Sequence, residues 1–247
     1  MDKTTIFGHR GIPTKFIENS IDGFEYLASK GEAVEFDVHL TKDFHPVVMH
    51  DEKIDRTTNG HGYIRDFTLA ELAQFHLISD NQRPQQRQGK QNEIPTLERV
   101  LEIFKSTDLI LNIELKTENI QYPGIESIAL EAVHDFGLAG QTVFSSVNLG
   151  SVKRIGKLDE HQQIALISEE PILRPLDFMA RNQLDALHLK KSVMANDFPQ
   201  FQRIWTIDDT ATLKHIFEHG FEGVFTDDFE SADALRTKLM TRNVSAI

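Results

Sequence analysis

Eight short, β-rich apolar runs recur along the chain, at residues 5–8, 33–38, 109–115, 142–146, 164–167, 186–189, 203–207 and 223–226. Helix-like stretches separate many of them. A parallel strand pair needs a long crossover, usually a helix, so this alternation predicts a parallel sheet covered by helices. Eight such units in 247 residues favour closure into a (β/α)8 TIM barrel over an open sheet, since such a barrel takes about 250 residues. The expected organisation is one barrel domain over residues 1–247, with an insertion at about 52–93. Hydrophobic residues make up 40% of the chain, enough for a sizeable core.

The gaps carry helix signals. Asn19 can cap a helix running to about Lys30, with Asp22 in its first turn and Gly31 as its stop. Thr96 precedes a second helix over 98–105, a third over 125–136 ends at Gly137, a fourth over 209–219 ends at Gly220, and a fifth over 229–240 closes the chain. The connection after Leu189 contains Pro199, which predicts a short or degenerate helix there.

A ninth apolar run, 46–49, breaks the alternation. It follows the second strand after a gap too short for a parallel crossover, which predicts an antiparallel hairpin rising from the barrel rim. A turn centred on Asp43 and Phe44 would set His50 opposite Asp37. Beyond it, residues 51–93 form a long polar segment with Gly60, Gly62 and a Gln-rich stretch at 83–91. Segments this long are functional or disordered; this one is too short and polar to stand as a domain.

Charge narrows the partners. A formal net charge of -12 sets the global field against polyanions, so neither nucleic acid nor stable membrane anchoring is expected. Cysteine is absent, which rules out disulfides and thiolate metal sites and fits a reducing compartment. No secretory signal is visible at the start and no apolar run approaches a membrane span, so the expected location is cytoplasmic. Oligomeric state is not encoded in any recognisable pattern.

Barrel chemistry sits at the carboxyl ends of the strands. Those ends carry His9-Arg10-Gly11, Glu35 and Asp37, Glu114 and Lys116, Trp205, and Asp227-Asp228, while the hairpin returns His50-Asp51. Glu35 and Asp37 are two apart, so both point to one face while Val34, Phe36 and Val38 point to the other. If the apolar set faces the helices, the carboxylates face the barrel, where burying them unpaired is costly. Glu114 adds a third oxygen ligand. A divalent cation would resolve the cost, and all-oxygen ligation suits Mg²⁺ or Ca²⁺, with Mn²⁺ also compatible. The competing reading is an ion-pair network balanced by Arg10 and Lys116. His9 and His50 are candidates for general acid and base, because imidazole titrates near neutrality. Arg10 offers a planar fork for phosphate oxygens, and Trp205 an apolar wall. Asp227 and Asp228 suit a helix cap or a hold on a basic residue. Among the remaining histidines, His215 and His219 share a helix face without a zinc motif, and His188 could face the barrel.

These residues resemble the glycerophosphodiester phosphodiesterase family. Gly8-His9-Arg10-Gly11, then Glu18-Asn19-Ser20, Val34-Glu35-Phe36-Asp37-Val38, Thr41-Lys42-Asp43 and Val47-Val48-Met49-His50-Asp51 follow its opening signature in order. Arg56-Thr57-Thr58-Asn59-Gly60 is similar to the start of its insertion. Ile94-Pro95-Thr96-Leu97-Glu98, Leu111-Asn112-Ile113-Glu114-Leu115-Lys116, Trp205-Thr206-Ile207-Asp208-Asp209 and Gly223-Val224-Phe225-Thr226-Asp227 complete it. Two positions depart from the pattern: Ile17 stands where the family usually has proline, and Val147 follows Ser146 where it often has phenylalanine.

The resemblance implies metal-dependent hydrolysis of glycerophosphodiesters to an alcohol and sn-glycerol 3-phosphate. It implies His9 and His50 as the catalytic pair, Glu35, Asp37 and Glu114 as metal ligands, Arg10 and Lys116 near the phosphate, and Trp205 near the alcohol. The insertion is expected to cap the mouth and take part in substrate selection. A lysophospholipase D acting on lipid-like diesters would use the same residues. A silent barrel that only binds phosphorylated ligands is the rival from outside the enzymes; intact His9, His50, Glu35, Asp37 and Glu114 count against it. An aldolase-like barrel with Lys116 as Schiff-base lysine is a more distant alternative.

Overall fold

A computed structural model describes residues 4–79 and 92–244. Eight parallel strands form its centre: β1 (Thr5–His9), β2 (Ala33–Leu40), β4 (Ile110–Leu115), β5 (Thr142–Ser146), β6 (Gln163–Ser168), β7 (Ala186–Lys190), β8 (Gln202–Trp205) and β9 (Gly223–Thr226). Strand β1 pairs in parallel with both β2 and β9, so the sheet closes on itself. The expected (β/α)8 barrel is what the chain forms. β3 (Pro46–Val48) is appended to β2 as the antiparallel arm of a hairpin.

Alternation along each strand sorts the core. Val34, Phe36, Val38, Leu111, Ile113, Phe144, Leu187 and Ile204 join one large cluster with the helical residues Phe24, Leu27, Val100, Leu101 and Phe104. Their neighbours turn inward: Phe7, Ala33 and Phe225 form a separate cluster, as do Val143, Ala165 and Ala186. The period of two thus divides a helix-facing layer from a barrel interior.

The helices are α1 (Ile21–Lys30), α2 (Leu69–Leu72), α3 (Leu97–Phe104), α4 (Ile125–Asp135), α5 (Leu149–Leu158), α6 (Pro175–Asn182), α7 (Thr210–His219) and α8 (Phe229–Val244). Thr96 caps α3 and Asp209 caps α7: each side chain accepts from the backbone N–H three residues on. The connection from β7 to β8 holds only two 3-10 turns, Lys191–Val193 and Pro199–Phe201. None of the helices among the described residues is long and apolar enough to cross a membrane.

Two local expectations need correcting. Ser20, not Asn19, caps α1, accepting from the Gly23 N–H. Asn19 takes a left-handed conformation and donates its side-chain amide to Asp37 at 3.0 Å. Both residues are good caps, but a buried carboxylate's need for a donor draws one away. The hairpin register is also one residue off: Val38 opposes Val48, and the Met49 N–H reaches the Asp37 carbonyl, so Met49 rather than His50 lies opposite Asp37.

The described part of the insertion holds a 3-10 turn (Ile64–Asp66), α2 and several isolated bridges. Its Gln-rich stretch at 83–91 lies outside the described residues. Ile54, Ile64, Leu72 and Leu77 build a small apolar cluster with Val47, Met49, Ile94 and Ile17. Ile17, the departure from the family's proline, therefore ties the β1–α1 loop to the insertion. The loop itself depends on Gly11, at φ +77°, and on Gly23, whose missing side chain leaves room for the Gly11 carbonyl; a Cβ there would stand 2.3 Å from that oxygen.

At the barrel's opposite end, the buried Arg236 of α8 joins the first two strand segments. It donates to the Thr4 carbonyl at 2.7 Å, to Glu32, and to Asp233 at 2.6 Å, while Glu32 accepts from the Ile6 N–H at 2.8 Å. Replacing Arg236 with alanine is expected to lower stability by about 2–3 kcal/mol, because charged hydrogen bonds are lost and Glu32 keeps its charge. A fall in the urea midpoint at unchanged slope measures it.

Candidate active site

A cavity of about 300 Å³ opens at the carboxyl ends of the strands. His9, Arg10, Glu35, His50, Glu114, Lys116 and Trp205 all line it, with Val147, Ile167, His188 and Phe225 completing the apolar side. Asp37 lies just below, 1% exposed. Every residue the sequence singled out for chemistry is gathered here.

The acidic centre is compact. One carboxylate oxygen from each of Glu35, Asp37 and Glu114 lies within 4.8 Å of the others. Strand pairing explains the grouping, since Asp37 and Glu114 are direct neighbours across β2 and β4. Burial, reinforced by Asp37 and Glu114, pushes the Glu35 carboxyl well above its ordinary range. For Asp37, burial acts upward too, but His50, Lys116 and Arg10 outweigh it and hold the carboxyl far below.

Two cations face these three acids. Lys116 Nζ lies 2.7 Å from Glu114 and 3.6 Å from Asp37, and Arg10 Nε lies 3.6 Å from Asp37. Burial would lower both bases, yet the carboxylates hold each above its usual value: Glu114 and Asp37 for Lys116, Asp37 and Glu18 foremost for Arg10. The ion-pair network is real but incomplete. Asp37 Oδ1 is buried and accepts no hydrogen bond, and three acids stand against two bases. Those oxygens fit a hard divalent cation, which takes oxygen ligands and supplies the missing charge.

Each histidine is held by a carboxylate. His9 Nδ1 lies 2.6 Å from Asp227 Oδ1, and Asp227 is itself set by its N–H donating to Asp208. His50 Nδ1 lies 2.6 Å from Asp51 Oδ1. A carboxylate acceptor selects the Nδ1–H tautomer, which leaves Nε2 of each ring as the working atom. In His9 that atom is 3.9 Å from Glu35 Oε2. Asp227 thus fills the role of holding a basic residue, while Asp228 caps α8 through the Ser231 N–H.

Three supports escaped sequence reading. Asp51 adjoins His50 in sequence and holds it, a contact between neighbours that the motif carries without marking. His39 is fully buried; its Nε2 donates to the His50 carbonyl at 3.1 Å, and its Nδ1 accepts from Tyr122 at 3.0 Å. Burial lowers its pKa to about 4, so it is a neutral strut. Arg56, from the insertion, bonds Asp51 and Glu18 together. His188 does face the barrel, its ring tilted against Phe225 with centroids 4.9 Å apart, and burial holds it neutral. Its carbonyl accepts from Trp205 Nε1 at 3.0 Å, fixing the indole in the wall.

Comparison with known proteins identifies the family. The profile of the Glycerophosphoryl diester phosphodiesterase family matches residues 9–231. A glycerophosphodiester phosphodiesterase of Caldanaerobacter subterraneus subsp. tengcongensis is 33% identical, over 93% of this chain and 96% of that protein. In fold, the chain resembles a putative glycerophosphoryl diester phosphodiesterase from Silicibacter pomeroyi, with TM-score 0.86, 18% identity, and coverage of 96% and 94% of the two chains. It also resembles an Oleispira antarctica phosphodiesterase solved with the product sn-glycerol-3-phosphate, with TM-score 0.81, 23% identity, and coverage of 94% and 96%.

Proposed function

The chain belongs to the glycerophosphoryl diester phosphodiesterase family, and from that premise we propose that it hydrolyses glycerophosphodiesters to an alcohol and sn-glycerol 3-phosphate with a divalent cation at the acidic centre. The observation that carries this reading is the single cavity in which two histidines, each oriented by a carboxylate, flank a three-carboxylate cluster beside an arginine and a lysine. A small anionic substrate fits an acidic protein, because only the local pocket must be positive.

Glu35, Asp37 and Glu114 would hold the cation, which supplies positive charge to a phosphate oxygen and offsets the charge that builds in the transition state. Arg10 and Lys116 bind the remaining phosphate oxygens, having charges fixed in place before substrate arrives. One imidazole takes the proton of the attacking oxygen, either water or the neighbouring glycerol hydroxyl through a cyclic phosphate that water then opens, and the other gives a proton to the departing alkoxide. Asp227 and Asp51 keep the rings in the productive tautomer and stabilise the imidazolium each forms. Trp205, Val147 and Ile167 offer the alcohol an apolar wall. The described part of segment 52–93 packs through its own apolar cluster against the rim, which supports a role as the cap of one barrel domain.

Release of glycerol 3-phosphate from glycerophosphocholine and glycerophosphoethanolamine tests the proposal in a dehydrogenase-coupled assay. Activity should vanish in EDTA and return with Mg²⁺, Ca²⁺ or Mn²⁺. Failure of every cation to produce glycerol 3-phosphate would overturn it.

A further inference from the structure

Arg56 sits on no barrel strand, yet its guanidinium joins two carboxylates that serve different parts of the pocket. Nε and Nη2 donate to Asp51 at 2.8 and 3.0 Å. Nη1 and Nη2 donate to Glu18 at 2.7 Å each. Asp51 holds His50, and Glu18 lies 3.4 Å from Arg10 Nη1. We propose that Arg56 is a positioning residue: by bridging Asp51 and Glu18 it sets the His50 imidazole and the Arg10 guanidinium together and couples both to the folding of the insertion.

The chemistry of the side chain supports the bridge. A guanidinium is a planar fork that can present N–H pairs in two directions at once, which a lysine ammonium cannot copy. Glu18 is 14% exposed in its side chain and Asp51 31%. Burial opposes the charge of each, and Arg56 with its neighbours keeps both carboxyls low. Without Arg56, Glu18 would keep only its long contact to Arg10, which also lies 3.6 Å from Asp37. Asp51 would be free to turn away from His50.

The insertion fixes where Arg56 stands. Ile54 is fully buried, its N–H donates to the Gly62 carbonyl, and its own carbonyl accepts from both the N–H and the hydroxyl of Thr58. That short turn presents Arg56 toward the barrel. The chain that caps the mouth therefore also orders a catalytic histidine beneath it. An ordinary exposed ion pair would contribute little to stability and nothing to rate, so kinetics separate the two roles.

This inference rests on the assignment of His50 and Arg10 above, and the test includes His50→Ala so that the two can fail separately. Arg56→Ala, Arg56→Lys, Glu18→Gln and Asp51→Asn are compared for kcat, KM and Tm on a glycerophosphodiester. Misplacing a catalytic group by about 1 Å can cost about 10²-fold, so Arg56→Ala should lose about 10- to 100-fold in kcat/KM with little change in Tm. Arg56→Lys should not recover it. Because the Arg56 side chain is 43% exposed, millimolar guanidinium should restore part of the rate to Arg56→Ala, and urea should not. Asp51→Asn should act mainly on kcat, through His50, and Glu18→Gln mainly on KM, through Arg10. Wild-type kinetics in Arg56→Ala would overturn the proposal. So would a loss that guanidinium leaves untouched, or identical kcat and KM effects of Asp51→Asn and Glu18→Gln, which also decide the matter if Arg56→Ala does not fold. Full activity in His50→Ala would instead remove the assignment beneath it.

Discussion

His50→Ala and His9→Ala are each expected to lower kcat by about 10²- to 10⁴-fold, the usual contribution of a positioned acid or base. The two rings are built alike, with Nδ1 held by Asp51 or Asp227 at 2.6 Å and Nε2 left to work. They reach the cavity from different elements, one at the end of β1 and one just beyond β3. A phosphodiester needs a proton removed at one oxygen and delivered at another, so neither ring can replace the other. The double variant should therefore lose little more than either single one, since residues acting as a unit are far from additive. KM should change less than kcat, because Arg10 and Lys116 remain. A loss below tenfold for both single variants would remove the assignment.

The second large effect is expected at the carboxylates. Glu35→Gln and Glu114→Gln should each abolish cation-dependent activity, and the loss should be readable without turnover. In the wild-type protein, a saturating divalent cation should raise Tm, since anything that binds only the folded state stabilises it; at about 100 times Kd the gain is about 2.7 kcal/mol. The variants should show little or no rise. Glu35→Gln should also raise the Tm of the cation-free protein, because it removes one of three mutually repelling carboxylates that share a space within 4.8 Å. An ion-pair network without a cation makes the opposite prediction: no thermal response of the wild-type protein to Mg²⁺, Ca²⁺ or Mn²⁺. The two readings of the cluster are thus separated by a melting curve before any substrate is added.

Much of this site was legible in one dimension. Glu35 and Asp37 could be placed on the inner face because a strand alternates, and Val34, Phe36 and Val38 then had to meet the helices, as they do. A gap too short for a crossover required the hairpin that returns His50. Where the sequence misled, a distant partner overruled a local preference. Asn19 is as good a cap as Ser20, but the Asp37 carboxylate takes its amide. The register slip at the hairpin, one residue from expectation, is a choice between turns that local residue preferences barely distinguish. Helices α5 and α6 had no reading although both are amphipathic, with Val152 and Ile155 of α5 buried and Asn148 capping its start.

By itself, then, the amino-acid order determined the eight barrel strands, the inward set of acids and the two histidines near them. These follow from periodicity and from chain lengths that forbid other connections. Tertiary structure alone decided which group holds which. Asp227 reaches His9 across 218 positions only because β9 closes on β1. His39 supports His50, and Arg56 spans Asp51 and Glu18, only once the hairpin and the insertion have packed. Hydrogen bonds between residues far apart in sequence depend on closure of the barrel, a cooperative property of the whole core that no local pattern encodes.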